Sequence, residues 1–118
     1  MNFLEVFIIG IGGFLGAVIR YFISIYLNQA RRMPLGTLFV NLAGSFLIGF
    51  VFGLELTRLW TFFLASGFAG ALTTFSTLHK EIIELWRKGE PKKAMHYIFI
   101  TFSGGILLAM LGYLIGAN

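Results

Sequence analysis

A chain of 118 residues with 58% hydrophobic, 17% aromatic and only 12% charged content has room for one domain and is too apolar for a soluble domain of this size to hide. The formal charge of +4 does not point to nucleic acid, because the basic residues sit at the ends of apolar stretches and not in a stripe with stacking positions. With no cysteine, neither a disulfide framework nor a thiol-based metal site is available.

A hydrocarbon core of about 30 Å needs roughly 20 helical residues, and four stretches supply them: about 3–27, 35–54, 59–78 and 94–115. The expected fold is therefore an all-α membrane protein, one domain over 1–118, inserted in the cell (inner) membrane as a multi-pass chain. The first stretch is too long for a signal-peptide core and no small-residue cleavage pattern follows it, so it is read as a retained helix. It carries Gly10, Gly12, Gly13 and Gly16; the Gly12/Gly16 pair makes a small-residue face for close helix packing. Arg20 lies toward its end, and Asn28, Gln29, Arg31 and Arg32 form a short polar loop before Pro34.

In span two, Thr37, Asn41 and Ser45 recur every four residues and fall on one helical face. Interhelical hydrogen bonding and a polar path both remain open for Thr37 and Ser45. Asn41 points to function, since a carboxamide is costly to leave unpaired in hydrocarbon.

Span three holds Gly67 to Thr77, a Gly-Phe-Ala-Gly-Ala-Leu-Thr-Thr-Phe-Ser-Thr run with two glycines and four hydroxyl residues inside an apolar span. Backbone groups freed at bilayer depth need protein, ion or water, so such an interruption marks a buried or path-lining segment. Trp60 and Trp86 stand near span ends, where aromatic belts sit. The segment from His79 to His96 alternates charges and contains Pro91; its first part can continue span three as a surface helix, with Glu84 and Lys88 four apart, while both histidines read as loop residues near headgroups, without metal-ligand spacing. In span four Tyr97, Thr101 and Gly105 share a face that reads as a packing seam.

A proton-coupled or cation-exporting carrier would use an intramembrane carboxylate, and Glu5, Glu55, Glu81, Glu84 and Glu90 all fall at ends or in loops. Neutral donors dominate the interior. They suit a small anion held by amide N–H, hydroxyl O–H and aromatic ring edges, although carbonyls exposed where span three unwinds could instead coordinate a cation. No nucleophile, base and orienting group stand at recognisable spacing, so the chain is not read as an enzyme. Four helices enclose little alone, and oligomerisation is expected.

Three blocks carry a family resemblance: Gly12-Gly13-Phe14-Leu15-Gly16-Ala17-Val18-Ile19-Arg20-Tyr21; Pro34-Leu35-Gly36-Thr37-Leu38-Phe39-Val40-Asn41 followed by Gly44-Ser45-Phe46; and Gly67 to Thr77. The chain resembles the Fluc (CrcB) family of fluoride channels over nearly its whole length. The resemblance implies an antiparallel, dual-topology type dimer of four-helix subunits, with fluoride pores at the interface and a structural sodium ion at the dimer centre. By motif, Gly70 and Thr73 would offer backbone carbonyls to that sodium. Asn41 would face the anion, Phe75 would wall an aromatic constriction, and Ser76, Thr77 and Thr101 would line a polar track, with Thr37 on the same pathway. Tyr97 would sit near a pore end, Arg20 in an aqueous vestibule, and Glu81 matches a carboxylate often found after the block. No organic cofactor and no nucleic acid are implied; the partners are fluoride, membrane lipid and a second subunit.

Two positions depart from the family pattern. Leu78 stands where a second phenylalanine is usual, and Gly105 where a hydroxyl is frequent. Charge is also lopsided: Arg31, Arg32, Lys80, Arg87, Lys88, Lys92 and Lys93 share one side, whereas Arg58 lies on the other. The positive-inside rule then places the basic loops in the cytoplasm and both termini outside. A chain held in one orientation would pair with an oppositely oriented homologue and not with itself, so homodimer and heterodimer both stand. The competing functions are a four-span small-molecule antiporter and a non-conducting subunit of a heterodimeric fluoride channel.

Overall fold

The computed structural model describes residues 1–28 and 35–118, so the expected polar loop at Gln29, Arg31, Arg32 and Pro34 lies outside the described residues. Four helical spans run α1 (Phe3–Asn28), α2 (Leu35–Leu54), a composite third span and α6 (Pro91–Ala117). The third comprises α3 (Arg58–Thr61), a π-helical stretch (Phe62–Ala69), α4 (Gly70–Leu72) and α5 (Phe75–Arg87). All four are long and apolar enough to cross a membrane, and the 47 Å long axis exceeds the hydrocarbon thickness of about 30 Å. The chain is a multi-pass membrane protein. The third span runs on to Arg87 and the fourth begins at Pro91, so the expected long connection shrinks to one turn.

Glycine decides which helices pair. A Cβ on Gly12 or Gly16 would strike the carbonyls of Phe63 and Phe68, and one on Gly67 would strike that of Ile9. The small face of α1 is thus filled by backbone of the π-helical stretch, as packing without a hydrophobic driving force requires. A second seam joins α2 to α6, the most extensive pairing in the subunit: Gly49 and Gly53 meet the carbonyls of Ala109 and Tyr113, and Gly112 and Gly116 meet those of Phe46 and Phe50. Large apolar side chains of α1 and α6, among them Phe7, Phe14, Phe22, Ile106 and Leu107, are exposed, as lipid-facing residues should be, and Trp60 and Trp86 project outward near span ends.

At the end that carries Glu5, a capping-box arrangement starts α1, with Glu5 N–H donating to Asn2 Oδ1 at 2.8 Å. The Glu5 carboxylate is buried and accepts from Arg58 Nε at 2.7 Å, which ties the α2–α3 turn to the start of α1. At the other end α5 closes on Gly89 at φ +76°. Gly89 N–H donates to Trp86 O and Glu90 N–H to Leu85 O, the two bonds of a Schellman stop. Glu84 and Lys88 form no ion pair there; Lys93 pairs with Glu90 instead, at 3.3 Å.

Candidate functional site at the helix break

Between α4 and α5 the chain leaves helical geometry for two residues, Thr73 (φ −81°, ψ 157°) and Thr74 (φ −148°, ψ 122°). Each polar group released there finds a specific partner. Thr74 N–H donates to Asn41 Oδ1 at 2.7 Å, and Asn41 Nδ2 donates back to Thr74 O at 3.1 Å. One carboxamide on α2 therefore takes up the released N–H of Thr74 and adds a second donor to its carbonyl, the N-cap acceptor of α5. The Thr74 hydroxyl caps α5 by accepting from Thr77 N–H at 3.2 Å, and the Thr73 hydroxyl donates back to Ala69 O and Gly70 O at 3.1 and 3.2 Å.

These substitutions leave two carbonyls short of their helical amides. The amide that would serve Gly70 O is Thr74 N–H, taken by Asn41. The amide that would serve Thr73 O is Thr77 N–H, taken by the Thr74 hydroxyl. Thr73 O has lost its helical amide and Gly70 O keeps only the Thr73 hydroxyl; carbonyl oxygens with spare lone pairs are the ligand type of a hard monovalent or divalent cation, so Gly70 and Thr73 fit the role that the resemblance implies for them. Among the described residues no group of three His, Cys, Asp or Glu side chains is placed to hold a metal.

Beside the break lies an open-sided cavity of about 400 Å³, walled by Asn41, Ser45, Thr73, Phe75, Leu78 and Thr101 with apolar residues of α2 and α6. Two features mark it as more than a packing defect. Thr101 is only 7% exposed, yet its hydroxyl has no hydrogen-bond partner among the described residues, an arrangement that costs about 1–3 kcal/mol unless something fills the site. Phe75, in contrast, is 69% exposed at the first position of α5, a phenyl ring on the open side of the cavity.

The residues singled out by sequence do not all meet here. Asn41, Phe75 and Thr101 line the cavity; Ser76, Thr77, Tyr97, Thr37 and Arg20 do not. Ser76 opens onto the outer face of α5, beside His79, Lys80 and Arg87. Thr37 and Tyr97, both fully buried, converge on Glu81: Thr37 Oγ1 donates to Oε2 at 3.1 Å and Tyr97 OH to Oε1 at 3.0 Å. Arg20 stays on α1, where its Nε is buried without a partner among the described residues. Ser45 donates to Asn41 O at 2.8 Å and so contributes to α2 itself.

Two sequence expectations change. Glu81 lies in α5 with two hydroxyl donors, not at an end or in a loop; the signal was its six-residue distance from Phe75 on a helix that continues past the break. His79 is likewise helical, stacked on Phe75 with centroids 6.0 Å apart. The two departures also acquire locations: Leu78 is 3% exposed and packs inward with Leu85, Ala94 and Tyr97, and a Cβ on Gly105 would come within 3.2 Å of the Ser45 hydroxyl. Glycine there leaves Ser45 its space.

Comparison with known proteins places this geometry. The family described as CrcB-like protein, Camphor Resistance (CrcB), matches residues 7–113. A protein of Listeria innocua named fluoride-specific ion channel FluC 1 is 38% identical over 118 residues, covering 98% of both chains. A FluC 2 of Moorella thermoacetica is 44% identical, covering 90% of this chain and 91% of its own. The FluC of Pyrococcus furiosus is 41% identical, covering 98% of each.

Proposed function

The chain belongs to the CrcB family, and from that membership, together with the cavity at the helix break, we propose that it is a fluoride-specific ion channel of the cell membrane. It is not an enzyme. It lets fluoride leave the cell passively, down its electrochemical gradient, and thereby limits fluoride toxicity. The observation that carries the reading is the buried Thr101 hydroxyl, unpartnered among the described residues and set in a cavity with Asn41 and Phe75.

Each of these groups can replace part of an anion's hydration shell without a countercharge. Asn41 has spent one Nδ2–H on Thr74 and keeps the second for the cavity. The Thr101 hydroxyl, buried and without a partner among the described residues, would donate to an anion that reaches it, and the ring of Phe75 offers the electropositive edge of its quadrupole. Fluoride, the smallest halide, gains most from close O–H, N–H and C–H donors. A carboxylate would repel it, and the carboxylate nearest the break in sequence, Glu81, is occupied by Thr37 and Tyr97.

The complete pore is a dimer property in this reading. Phe75 stands on the open side of the cavity and is exposed in its own subunit, so an antiparallel partner would close the half-site. Gly70 and Thr73 of each subunit would offer their carbonyls to a structural sodium ion at the dimer centre, where the cation neutralises the dipoles that the break exposes. A second reading, a subunit that supports only one conducting pore in a heterodimer, is favoured by the inward-facing Leu78 and by charge: Arg58, the basic residue of the opposite side, is tied to Glu5.

Fluoride efflux from vesicles containing the purified chain tests both readings. Electrogenic efflux with a potassium ionophore and no pH gradient is expected for the channel. Silence of the chain alone, with activity restored by an oppositely oriented homologue, would establish the heterodimer. Proton-coupled movement of organic cations without fluoride flux would overturn the proposal in favour of an antiporter.

A further inference from the structure

Phe75 occupies an unusual place for a residue that must present a ring edge in a fixed direction. In the interior of a helix the preceding turn restricts χ1. Phe75 is the first residue of α5 and is preceded by two extended residues, so that turn is missing. With 69% of its surface exposed, it also receives little packing from its own subunit. The ring that meets it comes from the following turn: His79, four residues on, stacks at 6.0 Å with an interplanar angle of 21°. No other aromatic ring among the described residues stacks on Phe75.

We infer that His79 is a positioning residue for Phe75: its imidazole backs one face of the phenyl ring and holds the ring edge toward the anion path. The inference rests on the fluoride-channel reading for its consequence and on the stack for its geometry. Near-parallel stacking covers a face and leaves the C–H edge free, and the edge is the electropositive part of the quadrupole. His79 therefore does for Phe75 what the absent helical turn would otherwise do. The neighbours Ser76, Lys80 and Arg87 share the outer face of α5 with His79 but supply no ring.

The test compares His79→Ala, His79→Gln, His79→Phe and His79→Lys in the full chain. His79→Ala and His79→Gln should lower fluoride efflux roughly two- to tenfold, the range to which a stacked aromatic pair converts. His79→Phe should restore it, whereas His79→Lys, a cation without a ring, should not. Alongside, ring relaxation of ¹³C-labelled phenylalanine, with the Phe75 signal assigned by its loss in Phe75→Ile, should show a more mobile ring in His79→Ala than in wild type and His79→Phe. Wild-type flux in His79→Ala with unchanged ring relaxation would overturn the inference. So would rescue by lysine equal to that by phenylalanine, which would mean charge steering. If the wild-type chain moves no fluoride, the channel reading fails instead, and the relaxation comparison still decides whether His79 holds the ring.

Discussion

Replacing Asn41 by aspartate changes one atom's chemistry at the point where the break is braced. The carboxylate keeps the acceptor for Thr74 N–H, now 2.7 Å from Oδ1, and loses the donor that reaches Thr74 O at 3.1 Å. A buried carbonyl left facing an oxygen costs about 1–3 kcal/mol. The new charge acts on the anion as well: at about 5 Å and an effective dielectric near 20, two like charges repel by ~3 kcal/mol, on the order of a hundredfold in occupancy. Asn41→Asp should thus lose fluoride flux by about two orders of magnitude with a modest loss of stability. Asn41→Leu removes both bonds and adds no charge, leaving Thr74 N–H unpaired at about 1–3 kcal/mol, while Thr74 O keeps its helical amide as the N-cap of α5. Fluoride-electrode efflux reads the first effect, and thermal unfolding with size-exclusion chromatography in detergent reads the second. If Asn41→Asp conducts within threefold of wild type and Asn41→Leu unfolds at the wild-type temperature, then the carboxamide neither faces the anion nor supports the break.

Other substitutions separate the parts of the site. Phe75→Ile should suppress flux and leave the assembly folded, because the side chain is exposed in its own subunit; unchanged efflux would remove the ring from the path. Thr101→Val deletes a hydroxyl that satisfies nothing in the described structure, so unfolding should be unchanged or shifted upward while flux falls about tenfold; a fall in stability by more than ~1 kcal/mol would show that the hydroxyl is structural. Glu81→Leu strands the hydroxyls of Thr37 and Tyr97 and should cost about 2–4 kcal/mol by thermal unfolding, with wild-type stability counting against the network. Exchanging sodium for a large organic cation should weaken the assembly measured by size exclusion; indifference to sodium would argue against a cation at Gly70 and Thr73.

Much of this architecture is legible in the sequence because the bilayer leaves few options. Apolar runs of about 20 residues must be helices, and Gly12, Gly16 and Gly67 announce close helix approach before any partner is known. The Gly/Thr-rich run announces a break for the same reason: lipid cannot solvate a freed amide. The partners are what periodicity hides. Thr37, Asn41 and Ser45 look alike as a stripe, yet one meets Glu81, one braces Thr74 and one bonds its own helix. Local spacing cannot sort them, since the choice depends on how far α5 extends past the break. The continuation of span three as a surface helix is legible, but the roles it gives to its side chains are not, because Lys80, Glu81 and Glu84 lower the hydropathy just where the helix continues. His79 and Glu81 were read as peripheral for this one reason, and both turn out to support groups at the break or immediately beyond it.

The same continuation bears on how two subunits can share a pore. On α5, Phe75 and Leu78 are three residues apart and wall the same cavity, the first exposed at 69% and the second buried at 3%. In the proposed dimer, a pore at the interface would take this wall, Phe75 beside Leu78, from one subunit and be closed by the other. In a homodimer both walls carry Leu78, whose methyl groups exclude water but have no quadrupole to offer, and the polar work falls to Asn41 and Thr101. In a heterodimer one wall is inherited from the partner, and the chain contributes its exposed ring. The one-sided distribution of basic residues, with Arg58 held by Glu5 on the other face, favours a subunit that enters the membrane in one orientation. On the heterodimer reading, the partner would be a homologue of opposite charge bias that carries an aromatic ring where this chain has Leu78.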